Sequence, residues 1–284
     1  MSNMRSDVIK HGVDAAPARS LLRADGLKDE DFDKPFIGIA DSWNEVVPGH
    51  IHLNKIVDAV KEGIREAGGV PFVFGTPAVC DGIAMGHKGM RYSLISREVI
   101  SDCCEVMVEG HAMDGWVGVS NCDKVTPGML MAAGRMNIPA LMVTGGAMEA
   151  GKLNGEDIDF QSVFEAIGQV QVGAADESFL KTVECAACPG AGSCSGLFTA
   201  NTMACLTETL GMSLTGCGTS LAVDEKKLAI AKESGKRIVE LVKKGIKPRD
   251  IVTRETFKNA LRVDMMMGCS TNTSLHLPAI AAEA

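Results

Sequence analysis

Val119-Ser120-Asn121-Cys122-Asp123-Lys124-Val125-Thr126-Pro127-Gly128 is the stretch on which the fold turns. Ahead of it, Gly115-Trp116-Val117-Gly118-Val119 alternates apolar with small residues, which predicts a short buried strand. Behind it, Thr126 to Ala133 predicts a helix, with Thr126 as N-cap and Pro127 at the first helical position. A strand that feeds a helix through so tight a turn belongs to a parallel sheet. In an open parallel sheet such turns lie at the carboxyl ends of the strands, where ligands bind. Cys122, Asp123 and Lys124 place a soft thiol, a hard carboxylate and an amine side by side there, and the turn reads as the chemical centre.

Further strands are predicted at 35–41, 70–74 and 138–144. Between them lie helices at 52–67, which Gly68-Gly69 ends, at about 91–108 and at 128–136. This order implies a three-layer α/β/α domain with a mostly parallel sheet. The second half reads as helix-rich, with helices at 157–174, 177–185, 198–210, 224–244, 253–266 and from Leu275 to Ala284. The last of these stops without a glycine cap, so the natural protein is expected to run on. Residues 1–33 are polar with one short helical piece around Ala16–Arg23, and are expected to form an arm that packs on another surface, such as a second subunit. Residues 34–284 form the main domain.

The chain has 284 residues, of which 46% are hydrophobic and 4% aromatic, as suits a large α/β domain. A net charge of −8 argues against a nucleic-acid partner, whose phosphates need a basic face. There is no apolar run of membrane-spanning length and no signal-peptide pattern, so a cytoplasmic protein is expected. The ten cysteines then mean free core thiols, metal ligands or both, not a disulfide scaffold. Cys103, Cys104 and Cys205 fall in amphipathic helices and read as core. Cys122, Cys188, Cys194 and Cys269 sit in Gly- or Pro-rich turns and are the thiols to weigh for chemistry.

Cys122 and Cys194, with a further thiol, suit an iron–sulfur cluster. Structural zinc competes, but Cys185-x₂-Cys188 has no partner pair. Inert buried thiols are the bland alternative, set against the glycines Gly128, Gly192 and Gly196, which leave room for a bulky group near the main chain. Asp81, in Cys80-Asp81-Gly82-Ile83-Ala84-Met85-Gly86-His87, and Asp123 each follow a strand and should face one crevice, as ligands of Mg²⁺ or merely as turn caps. Lys124 serves as their counter-ion or, neutral or carbamylated, joins the metal shell. His87, Arg91 and Arg97 are weaker candidates for touching substrate, and His52 reads as structural.

Four motifs carry a resemblance: Asn121–Met129, Cys188–Met203, Asp81–His87 and Gly268-Cys269-Ser270-Thr271-Asn272-Thr273. Together they resemble the dihydroxy-acid dehydratase branch of a family that also holds phosphogluconate and sugar-acid dehydratases, the alternative activity here. The resemblance implies a hydro-lyase that removes water from a small 2,3-dihydroxy-3-methyl acid to give a 2-keto acid, on the way to valine, isoleucine and pantothenate. It implies Cys122 and Cys194 as cluster ligands, with Asp81, Asp123 and a carbamylated Lys124 on Mg²⁺. Members with a [2Fe-2S] cluster carry a third cysteine where this chain has Gly49. A [4Fe-4S] cluster is therefore expected, with Cys80 and Cys188 as candidates for the remaining ligand. The family's serine base and a further glutamate belong to a β-rich C-terminal domain that is absent here, so this chain alone is expected to be inactive. A homodimer is the expected assembly.

Overall fold

In the computed structural model, which describes residues 4–284, a four-stranded parallel sheet of order β2-β1-β3-β4 forms the centre. Its strands are β1 (Phe36–Asp41), β2 (Val70–Gly75), β3 (Gly115–Ser120) and β4 (Ala140–Thr144). β3 is buried at every position and β1 at all but its last, as near-continuous apolar runs covered on both faces must be. The three-layer expectation therefore holds.

One face of the sheet is covered by α3 (Leu53–Glu66) and, from far along the chain, α10 (Glu225–Lys244). Ile37, Ile39, Val117 and Val119 meet Ile56, Val60, Ile64 and Ile238 there. Glycine sets the spacing of the two helices. A Cβ on Gly63 would lie 1.9 Å from the Lys232 carbonyl, and one on Gly235 2.2 Å from that of Val60. The other face carries α5 (Arg91–Gly110) and α6 (Val125–Met136), with Trp116, Phe36 and Ala40 packed against Ile100, Cys104 and Met129. Behind them lie α9 (Thr199–Thr209), α12 (Arg254–Met267) and α13 (Thr273–Glu283), with short α4 (Asp81–Ala84) and α11 (Pro248–Ile251) joining the layers.

The sequence expectations need correction at two places. Residues 157–174 are not one helix. β5 (Gly151–Leu153) and β6 (Glu156–Ile158) form an antiparallel hairpin, and the helix that follows, α7 (Phe160–Gln171), is capped by the Asp159 carboxylate. The cause is Asn154-Gly155, both at positive φ, a two-residue turn whose twist suits a hairpin. Secondly, α6 starts two residues early. Lys124 is the N-cap and caps nothing with its side chain, while the Thr126 hydroxyl turns to Ser120 at 2.8 Å. Pro127 then sits third, still within the turn whose N–H groups have no helical partner.

The N-terminal arm, whose helices are α1 (Asp7–Lys10) and α2 (Ala16–Ala24), has contacts with the main domain of this same chain. The buried Lys10 ammonium lies 3.6 Å from Asp114, 2.5 Å from the Lys34 carbonyl and 4.0 Å from the Phe36 ring centre. Asp114 also accepts from the Ser6 N–H and hydroxyl. α8 (Glu177–Ala186) completes the helix set. Among the described residues no helix is long and apolar enough to cross a membrane.

Candidate functional site

β1 is followed to one side by β2 and flanked on the other by β3, so the chain reverses direction across the sheet between β1 and β3. The turns leaving those two strands diverge and open a crevice. A cavity of about 330 Å³ occupies it, lined by Val47, Pro48 and Gly49 after β1, Cys80 to Ile83 after β2, and Asn121 to Asp123 after β3. Cys188, Gly192, Ser193, Cys194, Phe198 and Ala200 close it from the second half, and Met85, Met148, Phe160 and Phe164 supply apolar wall. Cys80, Cys122, Cys188 and Cys194 therefore meet Asp81 and Asp123 in one space. Among the described residues no three Cys, His, Asp or Glu side chains converge on a single point as a finished cage for one ion.

Asn121 builds the crevice, and sequence reasoning passed over it. Its side-chain N–H groups donate to the carbonyls of Gly49 (3.0 Å) and Gly146 (2.7 Å), and its oxygen accepts from the Gly146 N–H (2.9 Å). One buried amide thus ties together the turns after β1, β3 and β4. The signal was an amide at the carboxyl end of a strand, facing glycine turns with polar backbone to satisfy. Asn201 does the same for the cysteine loop, donating to the Cys194 (2.5 Å) and Gly196 (2.6 Å) carbonyls and accepting from Ser193. That loop runs beside the end of β4, with Met148 N–H donating to the Ser193 carbonyl and Gly192 N–H to that of Pro48. Gly192 has φ +137°, and a Cβ on it would lie 2.4 Å from the Met148 nitrogen.

The glycines expected to make room for a bulky group act otherwise. A Cβ on Gly128 would lie 2.7 Å from the Arg97 carbonyl, so it permits α5 and α6 to touch, and one on Gly196 would meet the Phe198 ring at 2.8 Å.

The charged side of the site is compact. Lys124 Nζ donates to Asp81 Oδ2 at 2.6 Å and lies 3.7 Å from Asp123, while Ser93 donates to Asp81 Oδ1 at 2.6 Å. Burial, then the neighbouring charge of Asp81, raises the Asp123 carboxyl above its ordinary value against the pull of Lys124, the Thr199 hydroxyl and the Ala200 N–H. The Cys122 thiol lies against Cys80 and, with the N–H groups of Ile83 and Gly82, holds Cys80 well below the usual thiol range. Cys122 is pushed up in turn, as the partner that keeps the proton. Burial, with Asp123 nearby, pushes Cys194 up to about 12.

Other candidates fall outside. Cys269 does not line the cavity; it lies near Cys205, which is half-buried rather than core, as is Cys103. His87 accepts from the Gly89 N–H at an exposed turn, and Arg91 is exposed. Arg97 donates to the Leu275 carbonyl and to His276. His52 is structural, its ring bonded to the Gly145 carbonyl at 3.0 Å.

Residues 34–284 match the family model described as dihydroxy-acid/6-phosphogluconate dehydratase N-terminal. The chain belongs to that family. Among its relatives are the dihydroxy-acid dehydratase of Methanosarcina barkeri, 60% identical over 280 residues, and dihydroxy-acid dehydratase 1 of Methanosarcina acetivorans, 59% identical over 280. In each case the match covers 99% of this chain and 51% of the relative. The dihydroxy-acid dehydratase of Desulfitobacterium hafniense is 57% identical, with 50% of its length covered. The chain thus spans about half the length of the curated relatives it matches.

Proposed function

We propose that this chain is the cofactor-bearing half of a hydro-lyase that dehydrates a 2,3-dihydroxy-3-methyl acid of the 2,3-dihydroxyisovalerate type to its 2-keto acid, a step toward valine and isoleucine. One observation carries the reading: four thiols and two carboxylates, with Lys124 between the carboxylates, share the cavity region at the switch point of the sheet. The donor set fits the two inorganic groups that the family resemblance implies. Soft thiolates suit an iron–sulfur cluster and hard carboxylates suit Mg²⁺. Cys122 and Cys194, with Cys80 or Cys188, would hold the cluster, and Asp81, Asp123 and a carbamylated Lys124 the magnesium. A [4Fe-4S] cluster is favoured over [2Fe-2S] because this chain has Gly49 where, by the family resemblance, members with the smaller cluster carry a third cysteine.

When bound, these groups would supply Lewis acidity toward a departing hydroxyl and toward the acid's carboxylate. The chain's own contribution is orientation and exclusion of water. Phe160, Phe164, Phe198, Met85 and Met148 make a wall that suits a methyl-branched acid. Asn121 and Asn201 fix the turns that present the donors. The serine base and the remaining magnesium ligand would come from the other half of the full-length protein. In this reading the working assembly is a cytoplasmic homodimer of full-length chains.

The phosphogluconate alternative would need a cationic phosphate site, and among the described residues the cavity lining holds no arginine or lysine, so such a site would have to come from the other half of the full-length protein. Anaerobic turnover by the full-length protein decides. The proposal expects water loss from the dihydroxy-methyl acid well above that from 6-phosphogluconate, and the reverse preference would overturn it.

A further inference from the structure

Lys227, on the first turn of α10, is fully buried. Its ammonium donates to the carbonyl of Thr144, the last residue of β4, at 2.9 Å, and to the carbonyl of Cys217. Among the described residues no carboxylate forms an ion pair with it, so backbone dipoles hold the charge. Burying an ammonium is costly, and an apolar side chain of the same length would fill the space at less cost. What the ammonium does, and an apolar side chain would not, is pin two separate segments to one point. The Cys217 end of that pin is itself fixed. The Glu208 carboxylate of α9 accepts from the N–H groups of Gly216 and Gly218 on either side, at 2.9 and 3.0 Å.

The Thr144 end is the turn on which the cysteine loop leans. Three successive carbonyls of that turn each receive a buried side chain from a different element. Thr144 takes Lys227 of α10, Gly145 takes His52 at the head of α3 (3.0 Å), and Gly146 takes Asn121 after β3 (2.7 Å). The Gly146 carbonyl also accepts the Ser193 N–H at 3.0 Å. The next residue, Ala147, pairs in parallel with Ser193 on one side and Leu221 on the other, and its carbonyl accepts the Ala222 N–H at 2.8 Å. A short ladder therefore runs from the lead-in of α10, through the turn after β4, to the residue directly before Cys194.

We propose that Lys227 is a positioning residue for Cys194, fixing the turn after β4 against the Cys217 loop so that the cysteine loop presents its thiol to the cavity. The functional consequence rests on the reading of Cys194 as a cluster ligand given above. The placement of the loop does not, since every contact in the chain of support is made by the protein alone.

The test is the alkylation rate of Cys194 in the metal-free full-length protein, read by mass spectrometry of its peptide after timed exposure to iodoacetamide. Beside it, the anaerobically isolated protein is followed as it yields iron to a chelator, and circular dichroism checks the fold of each variant. Lys227→Met removes the donors at nearly constant length. It should raise Cys194 alkylation and iron loss about tenfold, the scale set by losing hydrogen bonds from a charged group. Lys10→Met removes another fully buried ammonium, at the amino edge of the sheet, and should leave both rates near those of the wild type. Lys227→Gln, an uncharged donor one bond shorter, should give a smaller rise, and decides the case in which Lys227→Met does not fold. A wild-type alkylation rate in Lys227→Met, or in Lys227→Gln where it must decide, overturns the role of Lys227. So does an equal rise in Lys10→Met. A wild type that holds no iron overturns Cys194 as a cluster ligand, and the alkylation rates still decide whether Lys227 places its loop.

Discussion

Replacing Asn121 by alanine tests whether one amide assembles the crevice. The side chain makes three buried hydrogen bonds, at 2.7, 2.9 and 3.0 Å, to backbone groups of two other turns. After truncation the Gly146 carbonyl still receives the Ser193 N–H, but the Gly49 carbonyl and the Gly146 N–H lose their partner. Two orphaned groups at about 1–3 kcal/mol each, with one bond lost at about 1 kcal/mol, give a destabilisation of about 3–7 kcal/mol. For a domain of this size that is on the order of 10 °C in Tm. Asn121→Asp should be at least as damaging, since it turns an oxygen toward two carbonyls. Urea unfolding followed by circular dichroism reads the effect without any cofactor. A loss below about 1 kcal/mol for Asn121→Ala would show that the turns hold their places unaided.

Gly63→Ala should destabilise by about 3 kcal/mol or more, because its Cβ would lie 1.9 Å from the Lys232 carbonyl and must drive α3 from α10; urea midpoints measure it. His50 gives a pH dependence. Burial lowers its pKa from the ordinary 6.5 to about 4 against the hydrogen bond to the Ser42 carbonyl. The unfolded chain then binds the extra proton first. Stability from this group is complete above about pH 6.5 and falls by up to about 1.4 kcal/mol per pH unit on the way down to 4. His50→Gln should flatten that part of the stability–pH curve. In the full-length enzyme Asp123→Asn should abolish turnover and leave the brown cluster colour intact, checked by activity beside the visible spectrum; bleaching would make the residue structural for the cluster.

Much of this was legible in the sequence because its elements are locally consistent. β1, β3 and β4 are apolar runs that only a doubly covered sheet can bury, and the turn at Cys122 had to fall at a carboxyl edge. Asp81 and Asp123 were foreseeable for the same reason, each following a strand. What escaped depended on partners far along the chain. The apolar stripe of α10 does not say that it covers β3 and β4 beside α3, and nothing near Lys10 names Asp114 as its partner. Asn154-Gly155 was a missed local signal, overridden by the helical pattern that follows it.

The measurement that bears most directly on the central claim is iron and acid-labile sulfide content after anaerobic isolation of the intact protein, wild type beside Cys122→Ser/Cys194→Ser. Near-stoichiometric iron and sulfide in the wild type, lost in a double variant that still folds, is the predicted result. A wild type free of iron, or a double variant with undiminished iron, would contradict the assignment of this cavity as a cluster site.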